Sequence, residues 1–135
     1  MSWSKNRGLL KSIKNPCEEG YEIKTKVPEL TFEGARGKPD FGMLYITFYP
    51  DKEVIELKSL KEYFFAFRSQ IYSYERLLNV VYDDLMSVYK PVRLRLVLVT
   101  NPRGGISSRL TVDSDWPVRG GKDEFKDWIG QSDEW

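Results

Sequence analysis

Apolar and polar residues alternate along two stretches in the first half of the chain, and this alternation predicts two β-strands. The stretches are residues 21–27 and residues 41–49. Their inward-facing positions are Tyr21, Ile23, Thr25 and Val27 in the first stretch and Leu44, Ile46 and Phe48 in the second. A period of two is typical of a strand with one buried face. The glycines and prolines between the stretches predict an antiparallel hairpin or a wider pair with a long loop. Pro28 indicates an edge position or a bulge.

The period changes to three or four residues near residue 58, which predicts two helices after a short extended segment at 53–57. Ser59 followed by Glu62 forms a capping box, so the first helix is expected over residues 59–71. The second helix is expected over residues 74–90, closed by Pro91. The apolar stripes are Leu60, Phe64, Phe67 and Ile71 on the first helix and Leu78, Val81, Leu85 and Val88 on the second.

Two further strands are predicted over residues 92–100 and 106–112, on either side of the Gly104-Gly105 pair. The order strand, strand, helix, helix, strand, strand indicates an α+β domain. Its four strands can form one antiparallel sheet with both helices on one face. Such a sheet has two open edges, and closing several copies into a ring-shaped barrel would remove them.

The chain ends and the composition add few constraints. We interpret residues 1–18 as a loose polar arm, residues 19–114 as the domain, and residues 115–135 as a tail with a short helix around residues 124–128. The net charge of +1 creates no global field that would attract nucleic acid. Cys17 is the only cysteine, which excludes an internal disulfide and favours a cytoplasmic protein. The absence of histidine excludes histidine-based acid–base chemistry, and no metal site or membrane span is expected.

Two lysines, Lys58 and Lys61, flank the predicted start of the first helix. Cations at a helix N-terminus oppose the helix dipole by ~0.3–1 kcal/mol each. One interpretation is that an anion such as a phosphate shares the site with the exposed backbone N–H groups. The other is that both side chains point into water at little cost, and the spacing leaves both open.

Residues 56–63 read Glu-Leu-Lys-Ser-Leu-Lys-Glu-Tyr. They resemble the signature of the QueF family, the NADPH-dependent 7-cyano-7-deazaguanine reductases, and only Glu62 departs from it. Three further blocks resemble the family in the same order. They are the Lys-Pro-Asp-Phe run at 38–41, Phe-Arg at 67–68 with Tyr-Glu at 74–75, and Pro-Arg-Gly-Gly-Ile at 102–106.

The resemblance covers roughly residues 20–113 and implies the tunnelling fold. In that fold, subunits assemble edge to edge into barrels and hold their active sites between subunits. It therefore implies a homo-oligomer, a pentamer or a decamer, that binds a 7-deazaguanine or another purine-like base. Nucleic acid is not an expected partner, with the exception of tRNA, on which related archaeal enzymes act.

The resemblance also implies roles for individual residues. Asp40 would supply protons to the nitrile nitrogen, and Glu75 would hold the base, with Glu56 and Tyr74 in the same substrate site. NADPH would contact Lys58, Ser59, Lys61, Arg103, Gly104 and Gly105. Simpler interpretations remain open, because Asp favours turns, an acid favours the first turn of a helix, and Gly-Gly suits a hairpin.

Two parts of the implied reaction are missing. The family's cysteine, which attacks the nitrile carbon to form a thioimide, corresponds to Glu33, with Gly34 as the other candidate. The family's histidine corresponds to Tyr74. A carboxylate such as that of Glu33 is a poor nucleophile toward a nitrile, and Cys17 lies far upstream.

Three hypotheses for the function follow. The chain is a QueF-family enzyme of queuosine synthesis, or of archaeosine synthesis on tRNA. Alternatively, it is a binding module that keeps the base pocket through Glu75 and has lost the reaction. The third hypothesis is a structural or interaction role.

Overall fold

The predicted strands and helices are present in the computed structural model, which describes residues 4–34, 37–102 and 104–122. The strands are β1 (Ser12–Lys14), β2 (Ile23–Glu33), β3 (Pro39–Tyr49), β4 (Glu53–Ile55), β5 (Arg93–Thr100) and β6 (Arg109–Asp113). The α-helices are α1 (Leu57–Ala66) and α2 (Tyr74–Tyr89), and short 3-10 helices cover Arg7–Leu9, Phe67–Ser69 and Pro117–Arg119. The main elements follow the predicted order, although β2 extends further than expected and β6 begins later.

The four longest strands form one antiparallel sheet in the order β2-β3-β5-β6, as predicted. β2 lies at an edge of this sheet, and its register with β3 shifts between Val27 and Leu30. Pro28 lies at this shift. Because proline has no N–H to donate to a ladder, an edge and a bulge are the places where a strand tolerates it. The interpretation of Pro28 is therefore confirmed.

Both helices pack on one face of the sheet, which confirms the predicted α+β arrangement. The sheet side of this core consists mainly of Leu44, Ile46 and Phe48 on β3 and Leu94, Leu96 and Leu98 on β5, each at most 1% exposed. The helix side includes Leu60, Phe64, Leu78, Val81 and Leu85. Each such side chain stabilises the fold by ~1.5–3 kcal/mol. This packing holds the start of α2 against β2 and β3, where the candidate site lies.

The opposite face of the sheet carries a buried ion pair. Asp113 accepts hydrogen bonds from Arg93 Nη2 at 2.6 Å and Nε at 3.2 Å, from Arg95 Nη1 at 3.2 Å, and from the Asp115 N–H at 2.9 Å. Burial alone would raise the pKa of Asp113. The hydrogen bonds from Arg93, Asp115 and Arg95 outweigh burial and hold this pKa below its ordinary value.

The start of α1 differs from the prediction. The helix begins at Leu57, and its N-cap is Glu56, whose Oε1 accepts a hydrogen bond from the Ser59 N–H at 2.6 Å. Ser59 lies inside the first turn, so the predicted capping box of Ser59 and Glu62 is wrong. A carboxylate at the N-cap satisfies the same backbone donors more strongly, because the hydrogen bond is charge-assisted.

The end of α1 also differs, because the helix stops at Ala66 and does not reach Ile71. The chain there is extended and pairs with the end of β2. The Glu33 N–H donates to the Gln70 carbonyl, and the Tyr72 N–H donates to the Glu33 carbonyl, both at 2.9 Å. Continuing the helix would break this pairing, and Ile71 is consequently 60% exposed rather than part of the core.

The arm predicted to be loose is packed in its described part. β1 pairs with β4, which lies within the predicted extended segment at residues 53–57. Upstream, the fully buried carboxylate of Asp84 accepts hydrogen bonds from the Ser4 N–H, the Ser4 hydroxyl, Arg7 Nε and the Tyr63 hydroxyl. The polar composition of the arm did not indicate this packing, because the arm binds a polar group, Asp84, inside the domain.

After β6 the chain turns back on itself. The Trp116 N–H donates to the Asp113 carbonyl at 3.2 Å, and the Gly121 N–H donates to the Trp116 carbonyl at 3.0 Å. The helix predicted around residues 124–128 lies outside the described residues. Within the described ranges, no helix has both the length and the apolar character needed to cross a membrane.

Candidate functional site

Asp40 is the centre of a small buried cluster at the start of β3. It is 7% exposed and lies opposite Phe32 of β2. Its Oδ1 accepts hydrogen bonds from the Phe41 N–H at 3.0 Å and from the Tyr74 hydroxyl. The Tyr74 oxygen also lies 3.0 Å from the Phe41 carbonyl oxygen. These contacts fix the orientation of the Asp40 carboxylate.

Tyr74 reaches Asp40 because it is the first residue of α2. Ser73 caps this helix, with its hydroxyl accepting a hydrogen bond from the Arg76 N–H at 3.2 Å. The Tyr74 ring packs edge-on against Phe32, with 5.2 Å between the ring centroids. A Cβ on Gly42 would lie 3.7 Å from Tyr74 Cε1, an ordinary contact distance, but only 2.9 Å from Leu98 Cδ1 and 3.2 Å from the Val99 carbonyl oxygen, so the close approach of β5 requires the glycine. Tyr74, which stands where the resemblance implies a histidine, thus places its phenol in contact with Asp40, the expected proton donor.

The structure distinguishes between the two residues considered for the missing thiol position. Glu33 lies opposite Pro39, and strand alternation places it on the other face from Phe32. A Cβ added to Gly34 would lie 3.4 Å from Asp40 Oδ2. Gly34, rather than the predicted Glu33, is therefore the residue that faces the Asp40 carboxylate, and it has no side chain.

Glu75 lies next to this cluster, on the first turn of α2. It is exposed and lines a cleft of about 300 Å³ together with Tyr74. The other lining residues come from β5, β6 and the connection between them: Thr100, Asn101, Ile106, Ser108 and Leu110. Glu75 is the only carboxylic acid among these described lining residues, so it places a negative charge at the cleft.

The β5–β6 connection limits the cleft on one side. Gly104 and Gly105 have φ angles of +59° and +80°, and no atom lies within 4 Å of a Cβ built on either. Both conformations favour glycine, so the turn alone accounts for the pair. Arg103, predicted to contact a cofactor phosphate, lies outside the described residues.

The remaining predicted cofactor residues are on α1, and among the described residues the Tyr74–Glu75 cleft includes none of them. Ser59 is 2% exposed, and its hydroxyl accepts a hydrogen bond from the Lys11 N–H at 2.9 Å. The Glu56 carboxylate accepts the Ser59 N–H, so this N–H and the Ser59 hydroxyl already have partners within the protein. Lys58 and Lys61 are exposed and remain as surface cations.

Lys11 of the N-terminal arm covers Ser59 and also contacts Tyr89. The Tyr89 hydroxyl donates to the Lys11 carbonyl at 2.7 Å. Burial raises the pKa of Tyr89 to about 12, with the charges of Glu56 and Glu53 acting in the same direction and a hydrogen bond with Ser59 opposing them. Glu56, predicted to bind substrate, has a partner on α1, because its carboxylate accepts a hydrogen bond from the Ser59 N–H.

Cys17 is remote from the cluster. It is exposed in the connection before β2, and its N–H donates to Asn15 Oδ1 at 3.1 Å. Ile23, at the start of β2, pairs with Phe48, whereas Phe32 pairs with Asp40. Ile23 and Phe32 are nine positions apart along β2, or roughly 30 Å at ~3.3 Å per residue.

Gly42 and the residues from β5 and β6 that line the cleft were not predicted from the sequence. Gly42 carried a usable signal, because a glycine inside an alternating strand often marks a close approach of other atoms. Thr100, Asn101 and Ser108 carried no signal in the sequence, since short polar residues near a turn are common on any protein surface.

Comparisons with known proteins identify the family of the chain. A family model described as "QueF-like protein" matches residues 39–119. A protein of a Nitratiruptor species is 37% identical over 102 residues, covering 75% of this chain and 78% of its own length. A protein of Chlorobaculum tepidum is 41% identical over 96 residues, covering 70% and 82% respectively. Both are named NADPH-dependent 7-cyano-7-deazaguanine reductases.

A solved structure supports the fold independently. The apo form of a QueF-like archaeosine synthase superimposes with a TM-score of 0.57 at 10% sequence identity, covering 70% of this chain and 91% of that one. This similarity confirms the predicted fold.

Proposed function

The chain belongs to the QueF-like family, and on this premise we propose that it binds a 7-deazaguanine base without reducing a nitrile. Glu75 holds the guanine-like edge of the base in the cleft beside Tyr74. The base extends toward Asp40, beyond the Tyr74 hydroxyl. The chain is then a binding protein for the family's class of ligand.

The observation that supports this proposal is the glycine beside Asp40. The nitrile reaction requires a nucleophile that forms a covalent bond to the nitrile carbon. Gly34 faces Asp40 Oδ2 and carries no nucleophile. Cys17 is the only thiol of the chain and lies near the other end of β2. The base-binding acid is therefore kept while the attacking atom is missing.

Glu75 suits a guanine-like edge for a simple chemical reason. Such an edge presents two adjacent N–H donors, and a carboxylate accepts both with its two oxygens. Hydrogen bonds to a charged group contribute about 1.5–3 kcal/mol each. The exposed position of Glu75 on the first turn of α2 leaves its carboxylate accessible to a ligand in the cleft.

We also propose that several copies assemble edge to edge. β2 and β6 are the two edges of the four-stranded sheet, and pairing them between copies would satisfy their backbone groups. Ile106, which lines the cleft and is 72% exposed, would be covered in such a ring. Light scattering of the purified protein tests this, with a mass of five or ten chains expected and a monomer contradicting it.

We propose that the chain does not use NADPH. Its predicted site on α1 is partly closed by Glu56 and the arm, and reduction would have no thioimide to act on. We expect no oxidation of NADPH, followed by absorbance at 340 nm, in the presence of 7-cyano-7-deazaguanine.

Isothermal titration calorimetry with 7-cyano-7-deazaguanine tests the binding, with intact-mass spectrometry on the same sample. We expect saturable binding and an unmodified protein mass. Glu75→Gln should weaken binding roughly 10- to 100-fold, because one charge-assisted interaction is lost. Glu62→Gln is the matched control, since Glu62 is an exposed acid on α1. A covalent adduct, or equal binding by Glu75→Gln, would contradict the proposal.

A further inference from the structure

A groove of about 340 Å³ runs between the edge strand β2 and helix α1. It shares none of its described lining residues with the Tyr74–Glu75 cleft. We propose that the C-terminal segment of a neighbouring copy, residues 123–135, binds in this groove. The inference rests on the proposed edge-to-edge assembly and adds a contact that holds one copy to the next.

The groove exposes large apolar side chains to solvent. Leu57 and Phe65, both on α1, line it and are 65% and 66% exposed. Leu60 and Phe64 also line it and belong to the hydrophobic core, so the apolar surface of the groove is continuous with the core. A contiguous apolar patch of this kind on a protein surface marks a binding site.

Cations border this apolar surface. Lys26 on β2, Lys61 on α1 and Arg68 just after α1 line the groove, against one acid, Glu29. The Arg68 Cζ lies 4.9 Å from the centre of the Phe65 ring, so a positive charge stands directly beside an exposed aromatic side chain. A ligand that fits this groove therefore combines apolar side chains with negative charge.

Residues 123–135, which lie outside the described residues, have this combination in their sequence. They read Asp-Glu-Phe-Lys-Asp-Trp-Ile-Gly-Gln-Ser-Asp-Glu-Trp, and five carboxylates with one lysine give them a net charge of −4. Phe125, Trp128 and Ile129 are spaced three and four residues apart. Amphipathic helices use this spacing to insert apolar side chains into a groove. The segment therefore complements the groove in charge and in apolar content.

The strand directions bring this segment of one copy to the groove of the next. β6 runs antiparallel to β2, and the end of β6 lies at the same end of the sheet as the start of β2. When β6 of one copy pairs with β2 of the next in a ring, the end of β6 therefore meets the start of β2. Lys122 directly precedes the segment and lies near this end of the sheet, in a cleft that Met86 and Asp115 also line.

The segment is long enough to fill the groove. The lining residues of α1 run from Leu57 to Phe65, and this helix of 10 residues is about 15 Å long at ~1.5 Å per residue. The 13 residues of the segment span roughly 20 Å as a helix and more when extended.

A labelled peptide of residues 123–135 tests the groove by fluorescence anisotropy. The receptor is the full-length protein with Phe125→Ser, Trp128→Ser and Ile129→Ser, whose own segment has lost its apolar side chains. We expect saturable binding to this variant, and at least tenfold weaker binding to the unmodified protein because its own segments compete. Adding Phe65→Ser to the variant should weaken binding at least tenfold, since losing a central aromatic side chain from an interface typically has this effect.

Two further substitutions in the same receptor make the test specific. Ile71→Ser is the matched control and should leave binding unchanged, because Ile71 is 60% exposed and is not among the described residues that line the groove. Lys61→Glu should weaken binding and reduce its dependence on salt, because it removes one attractive charge. No binding to the receptor, or equal losses from Phe65→Ser and Ile71→Ser, would overturn the inference.

Photo-cross-linking tests which copy supplies the segment. Trp128 of the full-length protein is replaced by p-benzoylphenylalanine, and unlabelled chains are refolded together with chains that carry a heavy nitrogen isotope. We expect cross-links to the tryptic peptide of residues 62–68 in which a light peptide is joined to a heavy one. Cross-links that join only peptides of the same isotope would place the segment in the groove of its own chain and overturn the inference.

Light scattering of the same sample separates this inference from the assembly on which it rests. A monomer would show that the assembly itself is wrong, and the inference would fall with it. A ring of several copies in which residue 128 does not cross-link to residues 62–68 would leave the assembly standing and overturn the inference alone.

Discussion

Replacing Asp84 with alanine tests how the arm is attached to the domain. The carboxylate is fully buried and accepts four hydrogen bonds: from the Ser4 N–H at 3.2 Å, the Ser4 hydroxyl at 2.5 Å, Arg7 Nε at 2.7 Å and the Tyr63 hydroxyl at 2.6 Å. The substitution therefore removes one partner of the Arg7 cation and the carboxylate that accepts from the fully buried Tyr63 phenol.

The cost can be estimated from these contacts. A buried hydroxyl left without a partner costs about 1–3 kcal/mol, and Tyr63 is 0% exposed. Removing one member of a buried ion pair costs about 3–5 kcal/mol when the other stays buried. The Arg7 side chain is 29% exposed, so water can hydrate the guanidinium once Asp84 is gone. Loss of the ion pair alone should therefore cost less than the upper end of this range. Together these terms predict a loss of about 3–5 kcal/mol in the free energy of unfolding.

Urea denaturation followed by circular dichroism measures this loss. Asp83→Ala is the matched control, because Asp83 precedes Asp84 on α2 and is only half-buried, so its change should stay within about 0.5 kcal/mol. Tyr63→Phe should cost about 1–3 kcal/mol, because it removes one of the four hydrogen bonds. A loss below about 1 kcal/mol for Asp84→Ala, or equal losses for the two aspartates, would refute the reasoning.

Three further predictions concern the sheet and the end of α2. Gly42→Ala should cost about 1–3 kcal/mol by denaturation, because its Cβ would lie 2.9 Å from Leu98 Cδ1; an unchanged midpoint contradicts this. Lys90→Gly should raise the free energy of unfolding by about 0.5–1 kcal/mol, since Lys90 has a φ of +46°, and a loss would contradict it. The pKa of Asp113 is lower in the folded protein than in the unfolded chain, where it is about 4. Asp113 therefore stabilises the fold above the unfolded pKa, and this stabilisation is lost as the pH falls through the folded pKa. Asp113→Asn should flatten this acid dependence in urea titrations, and an unaltered slope would contradict the role of Arg93 as its partner.

The sheet and the order of the elements were predictable because burial imposes a period. Leu44, Ile46 and Phe48 alternate with more polar residues since only one face of β3 meets the helices. Pro28 indicated both the edge and the bulge through its missing N–H. These signals depend on neighbours along the chain, which the sequence displays directly.

The ends of the elements were not predictable in the same way. Ser59 and Glu62 satisfy the capping-box pattern, but Glu56 caps the helix with its own carboxylate. The loose-arm interpretation was wrong because Ser4 bonds to Asp84, a residue 80 positions away. Polar residues near a terminus look alike whether water or a buried acid is their partner.

The candidate site was predictable in part. The family resemblance pointed to Asp40, Tyr74 and Glu75, and the structure brings Tyr74 into contact with Asp40 and places Glu75 in the adjacent cleft. It could not choose between Glu33 and Gly34, because the choice depends on which face of β2 each residue occupies. That became clear only once the register with β3 was known.

A crystal structure of the protein with 7-cyano-7-deazaguanine tests the central claim most directly. The account predicts the base in the cleft, with two of its N–H groups within ~2.7–2.9 Å of the Glu75 carboxylate oxygens. It also predicts no covalent bond between the base and the protein. A base bound elsewhere, or one whose N–H edge faces away from Glu75, would contradict it.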